Sequence, residues 1–195
     1  MSLNSLSKEN LNYLINELKK DNSWVSYQTG DILKRPDINI LIHQANCFCI
    51  MNAGIAYKIK EYYPSVSLAD KKTKVGDKGK LGSFTSTLEK NINTGKELII
   101  LNLYSQYNPG RCEESSAGID SKEKRLYYLK ECLMSLADFI SLYHMESEPE
   151  QFIIGVPWMI GCGIAGNDIN ATFELFKTIF EPLKKHVKIM FVDFN

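Results

Sequence analysis

The chain has 195 residues, 44% hydrophobic and 24% charged, the proportions of one globular domain with a substantial core. Lys+Arg and Asp+Glu balance at 23 each, so the positive excess that a sequence-independent grip on nucleic acid requires is missing and no strong nucleic-acid signal remains. No apolar run approaches the ~18 residues of a membrane span, and Asn, Lys and Glu occupy the N-terminus where a signal peptide needs an apolar core. Five cysteines, an odd number with no C-x-x-C pair, read as free thiols of a reducing compartment. Cys47 and Cys49, one residue apart on a predicted strand, would point to opposite faces and so not share a zinc. A cytoplasmic monomer with no metal and no cofactor is expected.

In chain order, residues 8–20 place Leu11, Leu14, Ile15 and Leu18 on one helical face, which predicts a helix ahead of the main fold, in an extension over 1–23 followed by one domain over 24–195. "WVSYQTGDIL" alternates as a strand and turns at Thr29-Gly30-Asp31. "INILIHQANC" is a nearly continuous apolar run and reads as a buried central strand. Asn52 is the expected cap of a helix over Ala53–Tyr63 that stops at Pro64. A short helix near 65–73, a strand at about 80–88, the hairpin loop "NTGKE" and the buried strand "LIILNLYS" follow. An irregular segment over 106–121 is long enough to suggest that it covers a site or is disordered. A helix over 122–143, a strand over 152–157, a glycine-rich loop, a helix over 168–181 and the strand "VKIMFVDF" complete the order. Buried strands alternating with helices imply a three-layer α/β/α fold with a mixed central sheet, whose ligands gather at the carboxyl ends of the strands. "IHQANCFCIMNAGIA", "NLYSQYNPGR" and "PWMIGCGIAGND" all fall at that edge.

"GCGIAG", Gly161-Cys162-Gly163-Ile164-Ala165-Gly166, fits G-x-G-x-x-G. Three readings stand: a dinucleotide turn, a structural turn, and a phosphate loop in which glycines let the backbone approach an anion beside a helix N-terminus. The dinucleotide reading is disfavoured because Trp158-Met159-Ile160 intervene after the strand and the chain ends one strand later, leaving no nicotinamide half to build. Asn52-Ala53-Gly54-Ile55-Ala56 open a helix with small residues, either for anion binding or for tight packing on the sheet. Asp31 is an acceptor for an exocyclic amine or an ordinary turn aspartate. His43 and Asn46 interrupt a buried strand and need polar partners; His43 reads as a satisfied core histidine or an acid/base, and Asn46 as the stronger site residue.

"GDIL", "LIHQAN", "NAGIA" and "VPWMIGCGIAG", in this order over about residues 24–194, resemble the macrodomain family of ADP-ribose-binding folds. The resemblance implies that Asp31, beside Ile32, binds adenine and that Asn46 binds the distal ribose. It further implies that Gly54-Ile55-Ala56, with Asn52 and Ala53, and Gly161 to Gly166 hold the diphosphate, that Ser105 and Gln106 of "NLYSQ" border the ligand, and that Phe194 stacks on adenine. The similarity runs to the branch with the terminal ADP-ribose glycohydrolases, the antitoxin-type hydrolases of ADP-ribosylated DNA and the yeast ADP-ribose 1''-phosphate phosphatase. Where the hydrolases use a lysine this chain has Gln106, and where the glycohydrolases use an aspartate it has Ala165; neither glutamine nor alanine acts as nucleophile or base. The favoured expectation is therefore an ADP-ribose 1''-phosphate phosphatase, with His43 as acid/base, Asn46 orienting the ribose or a water, and Asp168 a further catalytic candidate. The alternatives are a non-enzymatic reader or a hydrolase of ADP-ribosylated targets, and, as an outsider, a nicotinamide-dependent oxidoreductase.

Overall fold

A computed structural model describes residues 15–16, 24–115, 118–146, 151–162 and 166–194. The N-terminal extension lies outside them except for Ile15 and Asn16, which are helical. The elements are β1 (Val25–Thr29), β2 (Ile40–Asn46), α1 (Gly54–Tyr62), α2 (Pro64–Lys71), β3 (Phe84–Lys90), β4 (Glu97–Gln106), α3 (Lys122–Glu146), β5 (Phe152–Pro157), α4 (Ile169–Phe180) and β6 (Val187–Asp193). The strands form one six-stranded sheet in the order β1-β6-β5-β2-β4-β3. Five are mutually parallel, and β3 runs antiparallel to β4 at the edge.

The sheet carries a core on each face, the three-layer arrangement that alternating strands and helices dictate. On one side Ile40 and Ile42 of β2 pack with Leu129, Leu133, Leu136 and Ile140 of α3 and with Phe173, Phe176 and Phe180 of α4. Leu41, one residue out of phase, packs on the other face with Ile59 of α1 and Val66 of α2, as the period-2 geometry of a strand requires. The α3 and α4 residues recur at three- and four-residue steps, the spacing of an apolar stripe. The break between α1 and α2 follows from Pro64, which occupies the first turn of α2 and keeps Tyr63 out of helical geometry at φ −133°, ψ 73°.

Three local expectations are corrected. Ala53, not Asn52, is the N-cap of α1, and it makes no side-chain cap bond; the Asn52 amide oxygen instead accepts from Lys60 Nζ at 3.1 Å. The strand expected from about residue 80 begins at Phe84, because Asp77 caps a single 3-10 turn over Lys78–Lys80 through the Gly79 amide, 2.8 Å away. Cys47 and Cys49 lie beyond the end of β2 in a turn, where Cys49 has φ 58°, so strand alternation does not apply to them. No described helix is long and apolar enough to cross a membrane.

Candidate functional site

The carboxyl ends of all five parallel strands meet on one edge, and there the sheet splits. β2 and β5 pair through Ile40–Ile154 and Leu41–Gly155 alone, so beyond Leu41 the two strands part. Into this gap opens a cleft of about 490 Å³, within the range of small-molecule sites. A parallel sheet is expected to hold ligands where neighbouring strands diverge at their carboxyl ends.

One end of the cleft is apolar, formed by Ile32, Val192 and Phe194 with Asp193 beside them. Phe194 is 56% exposed, and Lys58 Nζ stands 3.3 Å from its ring centroid, so one face of the ring is covered by a cation. The Asp193 carboxylate accepts from Tyr27 OH at 2.8 Å; burial, and then this carboxylate, push the phenol up to about 12.

The middle is framed by two backbone segments. Ala53 to Ala56 contribute the N-terminus of α1, where the first N–H groups have no partner inside the helix and the dipole favours an anion. Gly54 takes φ 56°, a left-handed turn that glycine makes without strain. Opposite lie Pro157 to Gly161. Met159 in this turn has φ 60° and Gly161 has φ 71°. A strained non-glycine residue lining a cleft is a common mark of a binding turn.

The far end is lined by amides: Gln44, Asn46 and Gln106. The Asn46 oxygen accepts from the Phe48 and Ile50 amides at 3.1 and 3.3 Å while its nitrogen donates to the Ile50 carbonyl at 2.8 Å, so this side chain clamps the loop leading to α1. Gln44 Nε2 donates to Ser105 Oγ at 2.9 Å. Gln106 Oε1 accepts from Arg125 Nη1 at 3.4 Å.

Arg125 holds the long segment expected to cover the site. Its guanidinium and the Asp120 carboxylate are both fully buried and pair through Nε–Oδ1 at 2.9 Å and through Nη2–Oδ2. Arg125 also donates to the carbonyls of Gly110, Arg111 and Asn108 at 2.8, 3.1 and 3.3 Å, while Asp120 accepts from the amides of Tyr107 and Asn108 at 2.7 and 3.0 Å. Pro109 and Gly110 of this segment line the cleft, and a Cβ on Gly166 would stand 3.1 Å from Cys112 Sγ. The segment is thus a wall tied down by a buried ion pair.

Of the residues expected from the sequence, Ile32, Asn46, Asn52, Ala53, Gly54, Ile55, Ala56, Gln106, Gly161 and Phe194 line this one cleft. Gly163, Ile164 and Ala165 lie outside the described residues. Asp31, His43, Ser105, Cys162, Gly166 and Asp168 are not among its lining residues. Asp31 caps a one-turn 3-10 helix, accepting from Leu33 N at 3.1 Å and facing Lys34 Nζ at 3.6 Å, one residue from the wall. Ser105 is buried under Gln44. The Cys162 thiol is buried against the Ile160 carbonyl and Thr172, and burial raises it to about 11. Asp168 is an exposed N-cap of α4, accepting from Ala171 N at 2.9 Å.

His43 is the largest departure from expectation. It does not line the cleft but is fully buried on the α2 side of the sheet, Nε2 at 2.6 Å from Asn102 Oδ1 and Nδ1 at 3.1 Å from the Gln44 carbonyl. Asn102 Nδ2 donates to Val66 O and Thr85 Oγ1, so Asn102 Oδ1 is an acceptor; both ring nitrogens of His43 then face acceptors, and a neutral ring donates to one of them, the shorter contact being that of Nε2. Burial lowers its pKa below 6.5 despite the opposing effects of Asn102, the Gln44 carbonyl and Asp70. A core role fits these contacts. Gln44, Ile50, Pro109, Gly110, Pro157 to Ile160 and Val192 line the cleft without having been named as site residues, and Asp193, which the sequence offers only as the ribose-binding acid of the disfavoured dinucleotide reading, lines it too. Gln44 was within reach, since it stands two residues before Asn46 on the same strand.

No family model and no curated protein matches this sequence. Solved structures do match. The macrodomain of Mycobacterium tuberculosis DarG superposes with a TM-score of 0.61 at 19% identity, covering 89% of this chain and 99% of that one. Thermosipho africanus DarTG, solved in complex with ADP-ribose, gives 0.58 at 16% identity over 88% of this chain and 42% of that one. The Oceanobacillus iheyensis macrodomain with MES bound gives 0.60 at 15% identity, covering 88% and 84%. At such identities the likeness is one of architecture, and the mixed six-stranded sheet with the helices α1 to α4 on its two faces is the macrodomain fold.

Proposed function

We propose that the chain binds ADP-ribose, or a group carrying it, in this cleft. The observation that carries the reading is the order of chemistry that the strand order imposes on the cleft: an apolar end at Phe194 after β6, the turn after β5 and the α1 N-terminus, both suited to an anion, then amides on β2 and β4. That order matches adenine, diphosphate and ribose in sequence. The ADP-ribose complex of the structurally similar DarTG supports the same choice.

Binding without turnover is the better supported activity. Among the described residues, Asp193 supplies the cleft's one carboxylate, at the adenine end, and no histidine, cysteine or lysine lines it. His43, the acid/base expected for an ADP-ribose 1''-phosphate phosphatase, is buried elsewhere. Titration calorimetry tests the binding: ADP-ribose is expected in the micromolar range, about −8 kcal/mol, with NAD much weaker. NAD binding more tightly than ADP-ribose would refute it. Phosphate release from ADP-ribose 1''-phosphate above background, in a parallel assay, would overturn the non-enzymatic reading in favour of the phosphatase.

A further inference from the structure

Asn167 is 4% exposed, and neither its Nδ2 nor its Oδ1 has a hydrogen-bond partner among the described residues. Buried polar atoms in native proteins are almost always paired, so this amide calls for a partner that the described protein groups around it do not supply. Its backbone is tied to the cleft wall, since Asn167 N donates to the Gly161 carbonyl at 2.9 Å. Its side chain stands directly behind Gly161: a Cβ there would meet Asn167 Nδ2 at 2.9 Å and Gln44 Nε2 and Oε1 at 3.4 and 3.6 Å. Gly161 and Gln44 both line the cleft. With no side chain on Gly161, the two amides pack directly against the backbone of a cleft-lining residue.

Resting on the ADP-ribose reading, we infer that Asn167, with Gln44 beside it, is a specificity-determining residue for the distal sugar. The chemistry selects the group. A carboxamide offers two N–H donors and a carbonyl acceptor, and the two unpaired Asn167 atoms need a partner that both gives and takes a hydrogen bond. A phosphate only accepts and an ammonium only donates, so either would leave one end of the amide unpaired. A sugar hydroxyl does both, and neighbouring ribose hydroxyls suit a pair of amides. The position agrees, because Asn167 stands with Gln44 at the amide-lined end rather than at Phe194.

The test compares ADP-ribose with ADP, which lacks the distal sugar, by calorimetry on the full chain, with a thermal melt of each variant. Asn167→Leu is expected to weaken ADP-ribose about five- to tenfold, the worth of a lost hydrogen bond, and to leave ADP affinity unchanged. Its melting temperature should hold or rise by about 2–4 °C, since an unsatisfied buried amide has been removed. Asn167→Ser, which keeps a polar atom but shortens the reach, should show the same selective loss if the leucine variant does not fold. An unchanged ratio of ADP-ribose to ADP affinity in the folded variants overturns the inference, and so does an equal loss of both ligands, which would mean that Asn167 acts through the diphosphate wall. Wild type that binds neither ligand removes the ADP-ribose reading itself and this inference with it.

Discussion

Replacing Arg125 by methionine removes the centre of the segment that walls the cleft, and the cost follows from its partners. Both oxygens of the fully buried Asp120 carboxylate lose a cationic donor, and the carbonyls of Asn108, Gly110 and Arg111 lose theirs. The Tyr107 and Asn108 amides still reach Asp120, so the carboxylate is not orphaned, but its charge is left in the interior without a counter-ion. Breaking a buried pair from one side typically costs about 3–5 kcal/mol. That is a large share of the roughly 5–15 kcal/mol that holds a domain folded. For a chain of this size it corresponds to a fall of about 6–20 °C in melting temperature. Urea unfolding should show a lower midpoint with little change in slope, because the surface exposed on unfolding hardly changes. Combining Arg125→Met with Asp120→Asn removes both charges and should cost at least ~1 kcal/mol less than the two single losses added together. An Arg125→Met cost under ~1 kcal/mol, or strict additivity in the double variant, would refute the view that this pair holds the wall.

Two further outcomes follow. Gly161→Val puts a branched side chain at φ 71° and drives its Cβ onto Asn167 Nδ2; it should cost about 1–3 kcal/mol in stability and weaken ADP-ribose at least tenfold, and calorimetry showing unchanged affinity in a folded variant would mean that the turn is structural only. His43, with a folded pKa lowered below 6.5 by burial, makes the unfolded chain the better proton binder just under that pH, so its contribution to stability is complete above about 6.5 and is lost as pH falls towards the folded value. Denaturation of wild type against His43→Gln at stepped pH should show the wild-type curve falling more steeply under acid, with neutral-pH ligand affinity little changed; parallel curves would contradict the buried neutral imidazole.

The pattern of apolar residues dictated the layers. Apolar runs such as "INILIHQANC" and "LIILNLYS" have too few polar breaks to face water, so they had to be central strands, and the 3.6-residue spacing of Leu129, Leu133, Leu136 and Ile140 required a helix laid on them. The sequence also marked about half of the residues that line the cleft, because small residues at a helix start and glycines after a strand are local signals of close backbone approach. What local signals do not carry is direction. Whether His43 faced a ligand or the core depended on Asn102, 59 residues away on the neighbouring strand, and on Val66 and Thr85 behind it. Asp31 and Asp168 have the same letters as site residues, but each uses one carboxylate oxygen to cap the turn that follows it. The Arg125–Asp120 pair and the unpaired Asn167 amide were invisible for a different reason. An ion pair's worth and a polar atom's need both depend on burial, and burial exists once α3, α4 and the segment before α3 have closed on the sheet.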